Sequence, residues 1–136
     1  MKMELHATPE EVMRGVEALQ AFAQETGVPE KMIFCLALAL EETACNIVNH
    51  AYQRDARQTF RLTLEHLGDR FVVELRDHGP AFDPRQTAPP DLDTDPDERD
   101  AGGLGIHLCR HYIDELRYAR EGDENVLRMT KLLPPA

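Results

Sequence analysis

Residues 36 to 52, LALALEETACNIVNHAY, constrain the fold more than any other stretch, because a run of strong helix formers carries polar residues at regular intervals. Glu42, Asn46 and His50 are separated by fours. In an α-helix they stack on one face, each about one turn below the last. Leu36, Leu40, Ile47 and Ala51 supply the apolar remainder. Such a ladder is either the solvated stripe of an amphipathic helix or the wall of a ligand cleft. The oily run from Met32 to Leu40 favours the cleft: it predicts a helix from about Pro29 to Tyr52 that is buried nearly all round. A carboxylate, a carboxamide and an imidazole are costly to bury there unless something binds them.

With 136 residues the chain reads as one domain with a real core. Its formal charge of −10 argues against a nucleic-acid partner. The start, MKMELHATPEE, has no apolar leader, and the run 32 to 40 is about half a bilayer span, so the expectation is a soluble, cytoplasmic protein with no membrane contact. Cys35, Cys45 and Cys109 all fall in apolar helical patterns and are odd in number, which reads as reduced core thiols.

Lys2 to His6 is a short candidate strand. Thr8, Pro9 and Glu11 form a helix start with a hydroxyl cap, proline in the first turn and a capping-box glutamate. Val12, Val16, Leu19 and Phe22 give that helix one apolar face, and Gly27 ends it. After the polar connection 53 to 58 the period changes to two. Phe60, Leu62 and Leu64, a Gly68-Asp69 turn, then Phe71, Val73 and Leu75 predict a hairpin with one buried face. Its second strand delivers Asp77 to a sharp turn, His78-Gly79-Pro80. Residues 84 to 101 are rich in proline and acid, and a loop of that length is either disordered or a lid. Gly102, Gly103 and Gly105 then crowd the start of a third helix, with Leu108, Tyr112 or Ile113, and Leu116 facing the core, where backbone N–H groups can hold an anion. His107 and His111 lack a third ligand nearby and read as helix-surface or core histidines. Strands from Leu116 to Arg120 and Val126 to Leu133 complete a second hairpin.

A nucleotide with a divalent metal uses all of these parts, and their order resembles the ATP-binding domain of sensor histidine kinases, gyrases and MutL proteins. The closer resemblance is to the anti-sigma factor serine kinases: ETACNIVNHAY is similar to their EAxxNAxxHAY, DHGPAFDP to their DxGPxFDP, and GGLGIHLCRHYIDELRY to their GGLGLxLxxxxMDExxY. It covers about residues 29 to 133. The resemblance implies an α+β fold, a two-layer sandwich whose mixed, mostly antiparallel sheet is covered on one face by about three helices. It implies Glu42 as the base that takes a serine proton and Asn46 as the Mg²⁺ ligand. His50, Asp77, Gly79, Ala81 and Phe82 fall in its nucleotide contacts, with Gly102, Gly103, Leu104 and Gly105 as the phosphate loop. Ala81 stands where the pattern has a second glycine, and Arg99 is the candidate for a phosphate-proximal arginine. The implied cofactors are ATP and Mg²⁺, with residues 84 to 101 as the ATP lid. The implied partners are an antagonist protein as phosphoacceptor, a sigma factor, and a second copy in a homodimer. Two other classes share these motifs: an ATP-binding partner-switch module without kinase activity, and a detached catalytic domain of a sensor histidine kinase.

Overall fold

Thr8 sets the first helix. Its backbone is extended and its Oγ1 accepts the Glu11 N–H at 3.2 Å, so α1 runs Pro9–Glu25 from a hydroxyl cap. Glu11 reaches back past the cap, accepting the His6 N–H at 3.2 Å, and is gripped by Arg14 at 2.6 Å. Those bonds, Arg14 first, hold its carboxyl down at about 2. The helix ends at a left-handed Gly27, φ 85°. There the Val28 N–H meets the Ala23 carbonyl at 2.9 Å and the Gly27 N–H the Gln24 carbonyl at 3.2 Å. This pair of bonds closes a helix without leaving its last carbonyls bare.

The computed structural model describes residues 1 to 82 and 113 to 134. The expected lid at 84 to 101, Arg99, the loop Gly102, Gly103, Leu104 and Gly105, His107, His111 and Cys109 lie outside the described residues. So does most of the expected third helix.

The long helix departs from expectation in a useful way. Regular α-structure, α2, covers Glu30–Asn46, and the chain then widens into a π-helical turn over Ile47–Ala51. The Tyr52 N–H bonds the Ile47 carbonyl at 2.9 Å, five residues back. Consecutive β-branched residues at 47 and 48 fit poorly in an α-helix. Tyr52 holds the wider turn in place, its hydroxyl donating to the Thr59 carbonyl and accepting the His78 N–H, each at 2.7 Å. Nor is α2 buried all round: Phe34 is 68% exposed, and of the two half-buried free thiols Cys45 packs against the core while Cys35 is not part of it. Glu30–Ala51 is long and apolar enough to cross a bilayer by length and composition, unlike the shorter run read from sequence. Here its inward face, including Leu36, Ala39, Leu40 and Ala44, is packed in the core.

The strands are β1 (Lys2–His6), β2 (Thr59–Leu67), β3 (Arg70–Asp77), β4 (Glu115–Glu121) and β5 (Glu124–Leu132). They form one sheet in the order β1-β2-β3-β5-β4, and the sheet expected to be mostly antiparallel is antiparallel at every pairing. Leu116 belongs to β4 and packs on the core from the sheet, not from a helix. Both hairpins turn on Gly-Asp, with Gly68 and Gly122 at φ 64° and 61°. Period-two alternation puts Phe60, Leu62, Leu64, Phe71, Val73, Leu75 and Met129 on the helix side, all almost fully buried against Val12, Leu19, Leu36 and Leu40. The other side carries ion pairs, among them Arg76–Glu74 at 2.7 Å and Arg128–Glu74 at 3.0 Å. On the outer edge of β1, Arg14 of α1 also donates to the Glu4 carbonyl at 3.0 Å.

Gly27 tests the backbone argument. A Cβ there meets nothing within 4 Å, so only the left-handed conformation opposes a side chain. Gly27→Ala is expected to lower unfolding free energy by about 1 to 2 kcal/mol in denaturant titration. An unchanged midpoint would show that the turn relaxes freely.

Candidate functional site

The site is built at the end of β3, where the strand register delivers an acid to the helix side of the sheet. Asp77 is 5% exposed and lies opposite Asn125 of β5, itself 5% exposed. Asp77 Oδ1 accepts the Gly79 N–H at 2.8 Å and Asn125 Nδ2 at 3.0 Å. Among the described residues nothing donates to Oδ2. Asn125 does more than hold the acid. Its Nδ2 also reaches the Pro80 carbonyl at 2.9 Å, and its Oδ1 accepts from Tyr118 Oη and, at 3.2 Å, from Arg120 Nη1. Arg120 adds a 2.7 Å bond to the Gly79 carbonyl. The turn after β3 is thereby tied to β5 through buried bonds and to β4 through half-buried ones, and buried bonds are worth more than surface ones because their loss strands polar groups.

Facing this corner is the end of the long helix. Thr43 and Asn46 of α2, then Ile47, His50 and Ala51 of the π-helical turn, form one wall of a cavity of about 220 Å³. Asp77, Pro80, Ala81 and Phe82 form a second wall, and Tyr118, Asn125 and Leu127 the third. Gly79 sits where the two halves meet. A Cβ on it would stand 2.6 Å from Ala51 Cβ and 3.0 Å from Asp77 Oδ1. The glycine is thus required by the close approach of helix and strand end, and the ligand-side reason expected from sequence is not needed to explain it.

Of the sequence candidates, Asn46, His50, Asp77, Ala81 and Phe82 line this cavity together. Glu42 is half-buried one turn earlier on α2 and is not among the lining residues. Glu42 and Asn46 both lie in the regular part of α2, so they are offset by about 6 Å along the axis and about 40° round it, and only Asn46 reaches the cavity. Thr43, Tyr118 and Asn125 were not anticipated. A signal for Asn125 was present: it occupies the period-two position shared with Leu127 and Met129, where a strand with a purely packed inner face would be apolar.

Comparison with known proteins decides the family. A model described as the histidine kinase-like ATPase domain matches residues 5–131. The chain belongs to that family. Among curated relatives of this ATPase domain, the serine/threonine-protein kinase BtrW of Bordetella bronchiseptica is 32% identical over 77% of this chain and 74% of its own length. The serine-protein kinase RsbW of Listeria monocytogenes is 30% identical over 96% and 85% respectively. In a Mycobacterium tuberculosis structure of RsbU and RsbW domains the same fold appears with a TM-score of 0.65 at 17% identity, covering 99% of this chain and 34% of the other. The expected α+β architecture therefore stands, and the ATPase family implies use of ATP.

Helix–strand contact at Gly79 is the fragile point of this ATPase domain. Gly79→Ala is expected to cost about 1 to 3 kcal/mol as an overpacked contact and to weaken nucleotide-induced thermal stabilisation. Adding Ala51→Gly should recover part of both losses, because it removes the atom that the new methyl meets. A double variant no better than the single one would place the requirement elsewhere.

Proposed function

We propose that this domain is an ATP-dependent protein serine/threonine kinase of a partner-switching pathway, one that binds Mg-ATP and phosphorylates an antagonist protein. The observation that supports it best is the divided role of Asp77: Oδ1 is committed to Gly79 and Asn125, and Oδ2 takes no bond from the described residues on a residue that lines the cavity. A fixed carboxylate oxygen of this kind accepts one proton of the exocyclic amine of adenine and rejects a carbonyl at the same place. The cavity lies below the usual range of about 300 to 1,000 Å³ for ligand clefts, which suits the base end of a nucleotide and not the whole of it.

A magnesium ion fits the residues present. No group of three or more His, Cys, Asp or Glu side chains among the described residues could form a closed metal cage. Mg²⁺ does not need one, since it is commonly held by one or two protein oxygens together with substrate phosphates and water. Asn46 Oδ1 is the protein oxygen assigned to it. ATP and its metal supply an activated γ-phosphoryl group and charge neutralisation. Gly102, Gly103, Leu104, Gly105 and Arg99 are assigned to the phosphates, with 84 to 101 as the lid of this single domain.

Glu42 is assigned the proton. In α-helical geometry it lies about 6 Å along the axis from Asn46 and about 40° round it. The serine oxygen forms a bond to the γ-phosphorus as the bond to the bridging oxygen of ADP breaks, and the serine proton passes to the Glu42 carboxylate. Phosphoserine and ADP are the products. A sigma factor as second partner, a homodimer and a cytoplasmic location belong to the same reading.

The test is incorporation of the γ-phosphate of ATP into candidate antagonist proteins. Glu42→Gln keeps the side chain's shape and loses the base, so transfer is expected to fall by about 10²-fold or more while ATP affinity by calorimetry stays within a few-fold. No transfer by the wild type to its antagonist would leave an ATP-gated binding module. Asp77→Asn tests the base pocket separately. The new amide oxygen can keep the Gly79 and Asn125 bonds, which turns its NH₂ toward the ligand, so ATP affinity is expected to drop by at least tenfold with the fold retained. Unchanged discrimination between ATP and GTP would remove Asp77 from that role.

A further inference from the structure

The polar ladder is the lower half of a longer row. Phe34, Leu38, Glu42 and Asn46 succeed one another at intervals of four, a single ridge along α2, with His50 following in the π-helical turn. Its far end, Asn46 and His50, lines the cavity. The near end is apolar and faces out: Phe34 is 68% exposed, Leu38 is half-buried, and Cys35 beside them is half-buried too. The inward side of α2 is already filled by Leu36, Ala39 and Leu40, so these residues are not needed by the core.

We propose that the Phe34–Leu38 segment of α2 is the docking site for the phosphoacceptor protein, placed so that its serine arrives at Glu42. This rests on the reading of Glu42 as the base. Phe34 lies about 12 Å along the axis from Glu42, a spacing that a folded partner spans when one of its apolar side chains seats on Phe34 and its serine meets the carboxylate. The charge around the row selects the occupant. The helix that bears the row carries Glu30, Glu41 and Glu42 against Lys31 alone. A second copy of this chain, with its formal charge of −10, would bring the same glutamates to this face and be repelled. The complementary partner presents an apolar residue flanked by lysine or arginine, so that attraction steers the encounter and the aromatic ring anchors it.

The experiment uses the full chain, Mg-ATP and whichever antagonist protein takes up phosphate from the wild type. Phe34→Ala is expected to raise the KM for that protein by about tenfold, with kcat at saturation and ATP affinity unchanged. Phe34→Tyr should restore it. Raising ionic strength should raise the wild-type KM. Since Phe34 is exposed, its removal is not expected to threaten folding. An unchanged KM in Phe34→Ala overturns the docking site while leaving the kinase reading intact, and no transfer by the wild type overturns both. A dimer that becomes monomeric in Phe34→Ala without a change in KM would assign the face to a second copy of the chain.

Discussion

Asp77 is the residue on which the rest of the site depends, because an acid 5% exposed must be held by partners within the fold. One of its oxygens is held by the backbone of its own turn and by Asn125 across the sheet. Those bonds make the charge tolerable and fix its direction. The same asparagine binds the turn's carbonyls and is itself held by Tyr118 and Arg120. The acid is thus fixed by a polar network three strands wide, not by its own turn alone.

On the opposite wall, the course of the helix is set by residues beyond its regular end. The π-helical turn follows directly on Asn46, and His50 and Ala51 within it line the cavity beside that residue. Ala51 and Gly79 then meet with no room for another carbon atom. Small residues at that point let the helix close over the strand end.

Much of the fold could be read from local chemistry. Thr8 and Glu11, Gly27, and the Gly-Asp turns at 68 and 122 state where elements begin and end, and their conformations arise from short-range sterics and hydrogen bonds. The inner face of β2 and β3 was legible from alternation alone. What could not be read were consequences of pairing at a distance. Nothing near Asn125 in the chain says that it will lie opposite Asp77, and Tyr118 reaches the site only because β4 pairs with β5 in one register. The widened turn likewise depends on Tyr52 finding Thr59 and His78, which no helical period encodes. Residues 42, 46, 50 and 77 drew attention because their chemistry was out of place locally, and the structure brings the last three of them to one cavity.

The strand order also sets a timetable for synthesis. β1 must wait for β2, with Lys2 opposite Thr63, and the central strand β3 must wait for β5, with Arg70 opposite Leu132. While the chain is still emerging from the ribosome, α1 and α2 can pair with each other, but the middle of the sheet has one side open. The oily inner faces of β2 and β3 are then uncovered until the last strand arrives. A ribosome that stalls between residues 77 and 124 therefore holds a nascent hairpin with an unpaired edge, the form most exposed to aggregation or to capture by chaperones.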